Sequence, residues 1–215
     1  MPNHIMNLIA ITGEKESIEK FVKENINAYV DEEGDILNFT FQTIIPRPKS
    51  LDIESSSRVE DAMKFVTMSE EEKAEYLEKR SYWMNTEESK KELESLGKTA
   101  LSNLEVYGAT DWYDWDIKHW GTKWDCYEVK ATCAEKAVYL EFQTAWSTPY
   151  PIYQALAEKY KDLTISVEYA DEDLGSNCGR LVFRNGKNEV EQEGDYPFAC
   201  YVWGYPADEY DDEDD

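Results

Sequence analysis

Between residues 111 and 125 the chain crowds four aspartates (Asp111, Asp114, Asp116, Asp125), His119, Lys123 and four tryptophans (Trp112, Trp115, Trp120, Trp124). Clustered carboxylates can hold Mg²⁺ against a phosphate or work as an acid/base pair. An enzyme or small-ligand site in this block would use Asp114, Asp116, His119 and Lys123. Composition argues against it. Asp and Glu supply 46 of 215 residues, so such clusters arise without selection for chemistry. No Ser or Cys is placed by spacing as a nucleophilic partner of His119. The phosphate-cradling patterns G-x-x-x-x-G-K-[ST] and G-x-G-x-x-G are both absent. The four cysteines (Cys126, Cys133, Cys178, Cys200) contain no C-x-x-C pair, and the chain has only two histidines. A zinc site would want tighter pairs. No catalytic residue, metal or cofactor is therefore expected, and the chain is read as one that acts by binding.

The tryptophans admit two readings. Trp112, Trp115, Trp120, Trp124 and Trp146 are five of the seven in the chain and lie within 35 residues. Large aromatics dominate both cores and interface hot spots. They either build the core between sheet and helices or line an aromatic groove. Lys123 would bind an anion or pair with Asp125 on the surface, and the pair is the expected arrangement. The candidate binding set is Trp112, Asp114, Trp115, Asp116, Trp120, Lys123 and Trp124, with Asp208, Glu209, Asp211 and Asp212 of the acidic C-terminal run.

Charge narrows the partner. Lys and Arg number 22, giving a formal net charge of −24. Phosphates need Lys and Arg to displace counterions, so direct nucleic-acid or anionic-membrane binding is disfavoured. A protein with a basic surface, itself a nucleic-acid binder, is the expected partner. The last 25 residues carry ten acids and no base. Such a run is read as a solvated tail or a flexible arm for a basic groove. No signal peptide or apolar run long enough for a bilayer is legible, and free thiols suit a reducing cytoplasm.

The elements that must position these residues follow from periodicity. Residues 5–11 read as a strand, and a helix follows with Ile18, Phe21, Val22 and Ile26 on one face. Leu37, Phe39 and Phe41 alternate with polar neighbours as a half-buried strand. Residues 50–105 are rich in Glu and Lys and read as a helical insertion. Helices are expected at 58–66, 70–82 and 86–105, with a capping box at Ser69–Glu72 and a second such cap at Asn85–Glu88. Strands return at 125–132 and around Val138, Leu140 and Phe142, with Trp146 on the same face. A helix is expected at 150–160, then a strand through Leu163–Tyr169 and a hairpin turning at Asn185-Gly186. Phe198–Trp203 reads as a last strand. Strand–helix–strand occurs twice, which packs as an antiparallel ferredoxin-like sheet with both helices on one face. The expected α+β organisation is residues 1–49 and 106–204 as two halves of that domain, 50–105 as the insertion and 205–215 as the tail.

Several motifs carry a family likeness. They are Met1-Pro2-Asn3 with Ile11-Thr12-Gly13, Ile44-Ile45-Pro46-Arg47-Pro48, Trp112-Tyr113-Asp114-Trp115, Trp120-Gly121-Thr122-Lys123-Trp124-Asp125 and Phe142-Gln143-Thr144-Ala145-Trp146-Ser147-Thr148-Pro149. Together they resemble the YubB/Api-like family of phage and plasmid proteins with a ferredoxin-like domain. The likeness covers roughly 1–48 and 110–170. Where the family has Asn before the Trp-Gly-Thr-Lys-Trp block, this chain has His119. The resemblance implies a ferredoxin-like fold and a mobile-element origin, and it brings no accepted catalytic residues. Joined to the charge, it leads to the expectation of a non-enzymatic protein in the host cytoplasm. Such a protein would block a nucleic-acid-binding site of a defence system by DNA mimicry, as an anti-CRISPR-like inhibitor does. A ligand site in the Trp block and a structural or assembly role are the alternatives.

Overall fold

The computed structural model describes residues 3–31, 34–79 and 86–206. The chain divides into two units, 1–46 with 117–215, and 47–116.

The first unit is built on β1 (His4–Thr12), whose residues alternate between buried and half-buried along its length. β1 sits at the centre of a six-stranded sheet because both of its edges are paired. It runs antiparallel to β5 (Ala137–Ala145) on one side and to β6 (Thr164–Asp171) on the other. β4 (Tyr127–Ala134) pairs outside β5, and the hairpin β7 (Gly179–Arg184) and β8 (Lys187–Glu193) extends the sheet beyond β6. The order is β4-β5-β1-β6-β7-β8, and every pair is antiparallel. With α1 (Lys15–Asn25) after β1 and α6 (Tyr150–Lys159) after β5, the core runs β1α1β4β5α6β6. That is the ferredoxin-like β-α-β-β-α-β arrangement with a hairpin added at one edge. Ile5, Ile9 and Ile11 share the buried face with Val138, Leu140, Phe142, Ile165, Val167, Leu181 and Phe183. α1 and α6 meet over it through Phe21 and Tyr160, ring centroids 5.4 Å apart. The Asn185-Gly186 turn has both residues at positive φ, as a two-residue hairpin requires.

The second core strand is β4, not the strand through Leu37 and Phe39. Instead β2 (Ile26–Asp31) and β3 (Gly34–Phe39) pair antiparallel with each other in a separate two-stranded sheet. Phe41, expected in that strand, lies in a 3₁₀ turn at 41–43. Phe39 and Phe41 both pack on Phe142, at 5.8 Å each. Their alternation reflects burial under the main sheet rather than membership of it. Phe198–Trp203 is also not a strand. It is α7 (Tyr196–Trp203), started by Asp195, whose carboxylate accepts from the Phe198 N–H, and stopped by Gly204 at φ +71°. A short apolar run does not itself distinguish strand from helix, and here the caps decide. α7 packs Ala199 and Val202 with Ala170 and Cys178, against Met6 and Leu8 on the face away from α1 and α6.

The second unit is helical: α2 (Ser57–Thr67), α3 (Glu70–Glu78), α4 (Glu87–Tyr107) and the first half of α5 (Trp112–Trp120). Ser69 and Glu72 form the expected reciprocal capping box. α4 is capped by Thr86, which accepts from the Ser89 N–H. Asn85, expected there, lies outside the described residues. Ala62, Phe65, Leu77 and Leu93 make the core of this unit. α2 and α4 approach so closely at Gly97 that a Cβ there would stand 2.2 Å from the Ala62 carbonyl oxygen. No described helix is long and apolar enough to cross a membrane.

Candidate functional site

Asp111, Asp114 and Asp116 of the Trp block have separate surroundings. Asp111 is nearly buried and accepts the Tyr113 N–H at 2.9 Å at the start of α5, the work of a helix cap. Asp114 is exposed in the first turn. Asp116 is fully buried and takes the Arg47 guanidinium at 2.6 Å, while Arg47 also holds Asp52 at 2.6 Å. Those charge-assisted bonds hold the Arg47 pKa up, although partial burial pulls it down more strongly than any single bond raises it. In this unit Trp115 is 5% exposed and Trp112 half-buried with its ring edge-on to Tyr113.

In the sheet unit, Trp120 is fully buried, and its indole N–H donates to the Ile45 carbonyl at 2.9 Å. Its ring stands edge-on to Phe41 at 5.8 Å. His119 is half-buried. Asp125 accepts the Phe41 and Cys126 N–H groups at 2.8 Å each and the Thr40 hydroxyl, so it fixes the turn at 40–43. The Lys123 ammonium lies 4.8 Å from the Trp124 ring centre and 5.0 Å from that of Trp146. Cation–π contacts of this kind contribute about 0.5–2 kcal/mol. Trp120 and Trp115 thus serve cores, while Lys123 and Trp124 come together with Trp146 at the surface. Asp208, Glu209, Asp211 and Asp212 lie outside the described residues.

The Thr144–Pro149 motif has an architectural task. Asn7 is buried on the helix side of β1, and its amide donates to Thr144 Oγ1 and to the Ile5 carbonyl at 3.0 Å. Thr148 and Tyr153 both donate to Asn7 Oδ1, at 2.7 and 3.0 Å. Thr144 in turn donates to the Ser147 carbonyl at 2.8 Å, and the Ser147 hydroxyl to the Gly121 carbonyl. Gly121 sits at φ +79° against Pro151, where a Cβ would come within 2.8 Å of the proline ring. The network joins β1, the β5–α6 turn and the loop after α5 with neutral groups. Burial pushes the Tyr153 hydroxyl pKa far up, so it stays a donor.

Two of the accessible surfaces among the described residues carry large exposed aromatics. One is a trough of about 530 Å³ on the sheet face opposite α1 and α6, floored by Leu8, Ala10, Ser166 and Val182 between Tyr139 and Tyr201. Tyr139 is 51% and Tyr201 61% exposed. Its charges are balanced across strands, Lys130 with Glu141 and Arg180 with Glu168. The other is the sheet corner at Trp146, which carries an exposed indole on a left-handed backbone (φ +75°). Periodicity places Trp146 on the face of Val138, Leu140 and Phe142; the buried residue on that face is Thr144, and Trp146 turns out beyond the strand end. Among the described residues, no group of three or more His, Cys, Asp or Glu could hold a metal ion.

Residues 119–214 match the family model described as the ferredoxin-like domain in Api92-like protein. The family resemblance read from the sequence is borne out; the matched span, which holds β4 to α7, overlaps the expected one at 119–170, extends beyond it to 214, and leaves β1 and α1 outside. The chain is also similar to the crystal structure of protein api92 from Yersinia pseudotuberculosis. That likeness has 10% identity over 90% of this chain and 98% of that one, with a TM-score of 0.42. No curated protein matches.

Proposed function

We propose that this chain is a non-enzymatic binding protein that occupies the basic, nucleic-acid-binding surface of another protein. The proposed setting is a phage or other mobile element, in which it blocks a component of a host defence system. The charge carries this reading: 46 acids against 22 bases, a net −24. A surface of that sign attracts a basic partner from a distance and speeds encounter, with an effect that falls as salt rises. Its carboxylates are displayed rather than gathered. Glu189, Glu191 and Glu193 are exposed along β8, Glu70, Glu71 and Glu72 on α3, and Glu172 and Asp173 after β6. Glu and Lys at a sheet edge also discourage pairing with a second edge, so the β8 row serves solubility as well.

The test is a tagged pull-down from host lysate at low and high salt, with duplex DNA added as competitor. Capture of a basic nucleic-acid-binding protein that is released by salt and by DNA supports the reading. A partner retained at high salt and indifferent to DNA sinks it. The tyrosine-walled trough favours a second reading, a small-ligand site. Soaking or titration with an aromatic fragment set, read by shifts at Tyr139 and Tyr201, separates the two.

A further inference from the structure

We propose that Trp146 is the anchor of the partner interface and stacks on an arginine side chain of the basic protein. The proposal rests on the reading above and deepens it. Left-handed backbone is a genuine outlier for a bulky residue and persists only where the surroundings impose it. Here they do. The Trp146 N–H donates to the Asn3 carbonyl at 3.0 Å, and its carbonyl accepts from Asn177 Nδ2 at 3.1 Å. Asn177 is itself at positive φ and also donates to Asp171 at 3.2 Å. Asp171 is 5% exposed and further held by Asn3 Nδ2 at 3.1 Å and the Asp173 N–H at 2.9 Å. Three separate segments are thus tied together to hold a conformation that glycine would adopt without strain.

Trp146 is nonetheless 40% exposed, more than a tryptophan placed for core packing alone would be. What the position achieves is presentation of an indole at the sheet corner. Lys123, 5.0 Å from the ring, shows that the indole attracts a cation. Glu172 and Asp173 are exposed in the same corner, where the Glu172 N–H donates to the His4 carbonyl at 2.9 Å. An exposed aromatic plane in a corner that also displays carboxylates, one of them already accepting the His4 N–H at 3.0 Å, suits a guanidinium, which stacks and donates in its own plane at once. An ammonium does this less well. Trp and Arg are also the residues that most often dominate binding energy.

The experiment uses the full chain and two short Gly/Ser peptides, one with three arginines and one with three lysines. Both are titrated at low salt into the wild type, Trp146→Gly and Trp146→Phe. The Trp146 indole N–H signal, assigned by its loss in Trp146→Gly, is followed by NMR. The arginine peptide should bind more tightly than the lysine peptide and move that signal. Trp146→Gly should weaken it about tenfold, and Trp146→Phe should recover most of the loss. Trp146→Gly should melt about 2–4 °C above Trp146→Ala, since only glycine relieves the backbone. Equal binding by wild type and Trp146→Gly overturns the anchor and leaves the basic-partner reading standing. No binding of either peptide to the wild type overturns both. Trp146→Ala melting at or above Trp146→Gly removes the argument from strain.

Discussion

The two units handle polarity in opposite ways. The helical unit is organised by charges at or near its surface. It has the capping box at Ser69–Glu72, helix-spaced pairs such as Lys73–Glu70 and Lys79–Glu75, and two buried carboxylates, Asp116 tied to Arg47 and Asp111 capping α5. The sheet unit relies mainly on neutral groups, with Asn7, Thr144, Thr148 and Tyr153 closing one another's hydrogen bonds, and its buried carboxylate, Asp171, is held by amides rather than by a cation. Neutral networks specify geometry without answering to pH or salt near neutrality, whereas exposed ion pairs contribute little each and are screened. In a chain of charge −24 the difference matters. Rearrangement of surface charge by a partner or by salt should bear on the helices more than on the sheet.

The largest expected effect is in the sheet unit. Asn7→Leu keeps the branching but leaves the Thr148 and Tyr153 hydroxyls only each other as partners, and should cost about 3 kcal/mol in urea unfolding followed at a sheet probe. A cost under about 1 kcal/mol would mean the network merely fills space. Next comes the helix crossing. Gly97→Ala gains helix propensity of about 1 kcal/mol but drives a Cβ into the Ala62 carbonyl, for a net loss of about 2 kcal/mol seen by probes in 47–116. Asp116→Asn should cost less, about 1.5 kcal/mol, because Arg47 keeps Asp52. A larger loss would show that Asp116 alone neutralises the guanidinium.

The smallest and sharpest contrast is in pH. Backbone and hydroxyl bonds from Ser69 lower the Glu72 pKa from the usual 4.5, and Lys79 and Lys90 do the same for Glu75 and Glu87. Groups with lowered folded values stabilise above about 4.5 and lose that contribution as pH falls through the lowered values. In the sheet unit, burial pushes Tyr127 up to about 12, with Glu172 and Glu128 adding to it, and burial raises Tyr169 as well. That contribution is complete below 10 and is lost as pH rises through the raised values. Glu24 and Asp162 of the sheet unit are lowered in the same way, by Tyr160 and by Ser17, so amide exchange should show both units loosening in acid and the alkaline loss concentrated in the sheet. Tyr127→Phe should soften the alkaline limb, and an equal alkaline loss in both units would dissolve the contrast.

Much of this was legible in the chain. The two strand–helix–strand patterns, the Asn185-Gly186 turn and the Ser69–Glu72 cap each declare themselves through local chemistry. The ferredoxin-like fold follows from the first of these. Pairing partners do not declare themselves locally. Phe39 and Phe41 alternate like a strand of the main sheet, and only the structure reveals that β4, far along the chain, takes that place. Phe198–Trp203 carries too few polar residues for a period to show, so the caps at Asp195 and Gly204 were the signal to weigh. In the site, type and spacing could not separate Trp120, fully buried, from Trp124 and Lys123 at the surface. Nor does any residue type announce a tryptophan at positive φ. The one available hint was the Ser-Thr-Pro that follows Trp146, which marks a strand end.

The central place of β1 also sets an order of events during synthesis. β1 leaves the ribosome ahead of the rest of its sheet, and both strands that flank it are made much later, at 137–145 and 164–171. The helical unit, closed by contacts within 47–116, is complete well before then. At the slow pace of translation it should be folded while β1 still waits, an apolar strand with two unpaired edges and no sheet to join. The interval in which the nascent chain is most open to chaperones or to misassembly is thus written into the strand order.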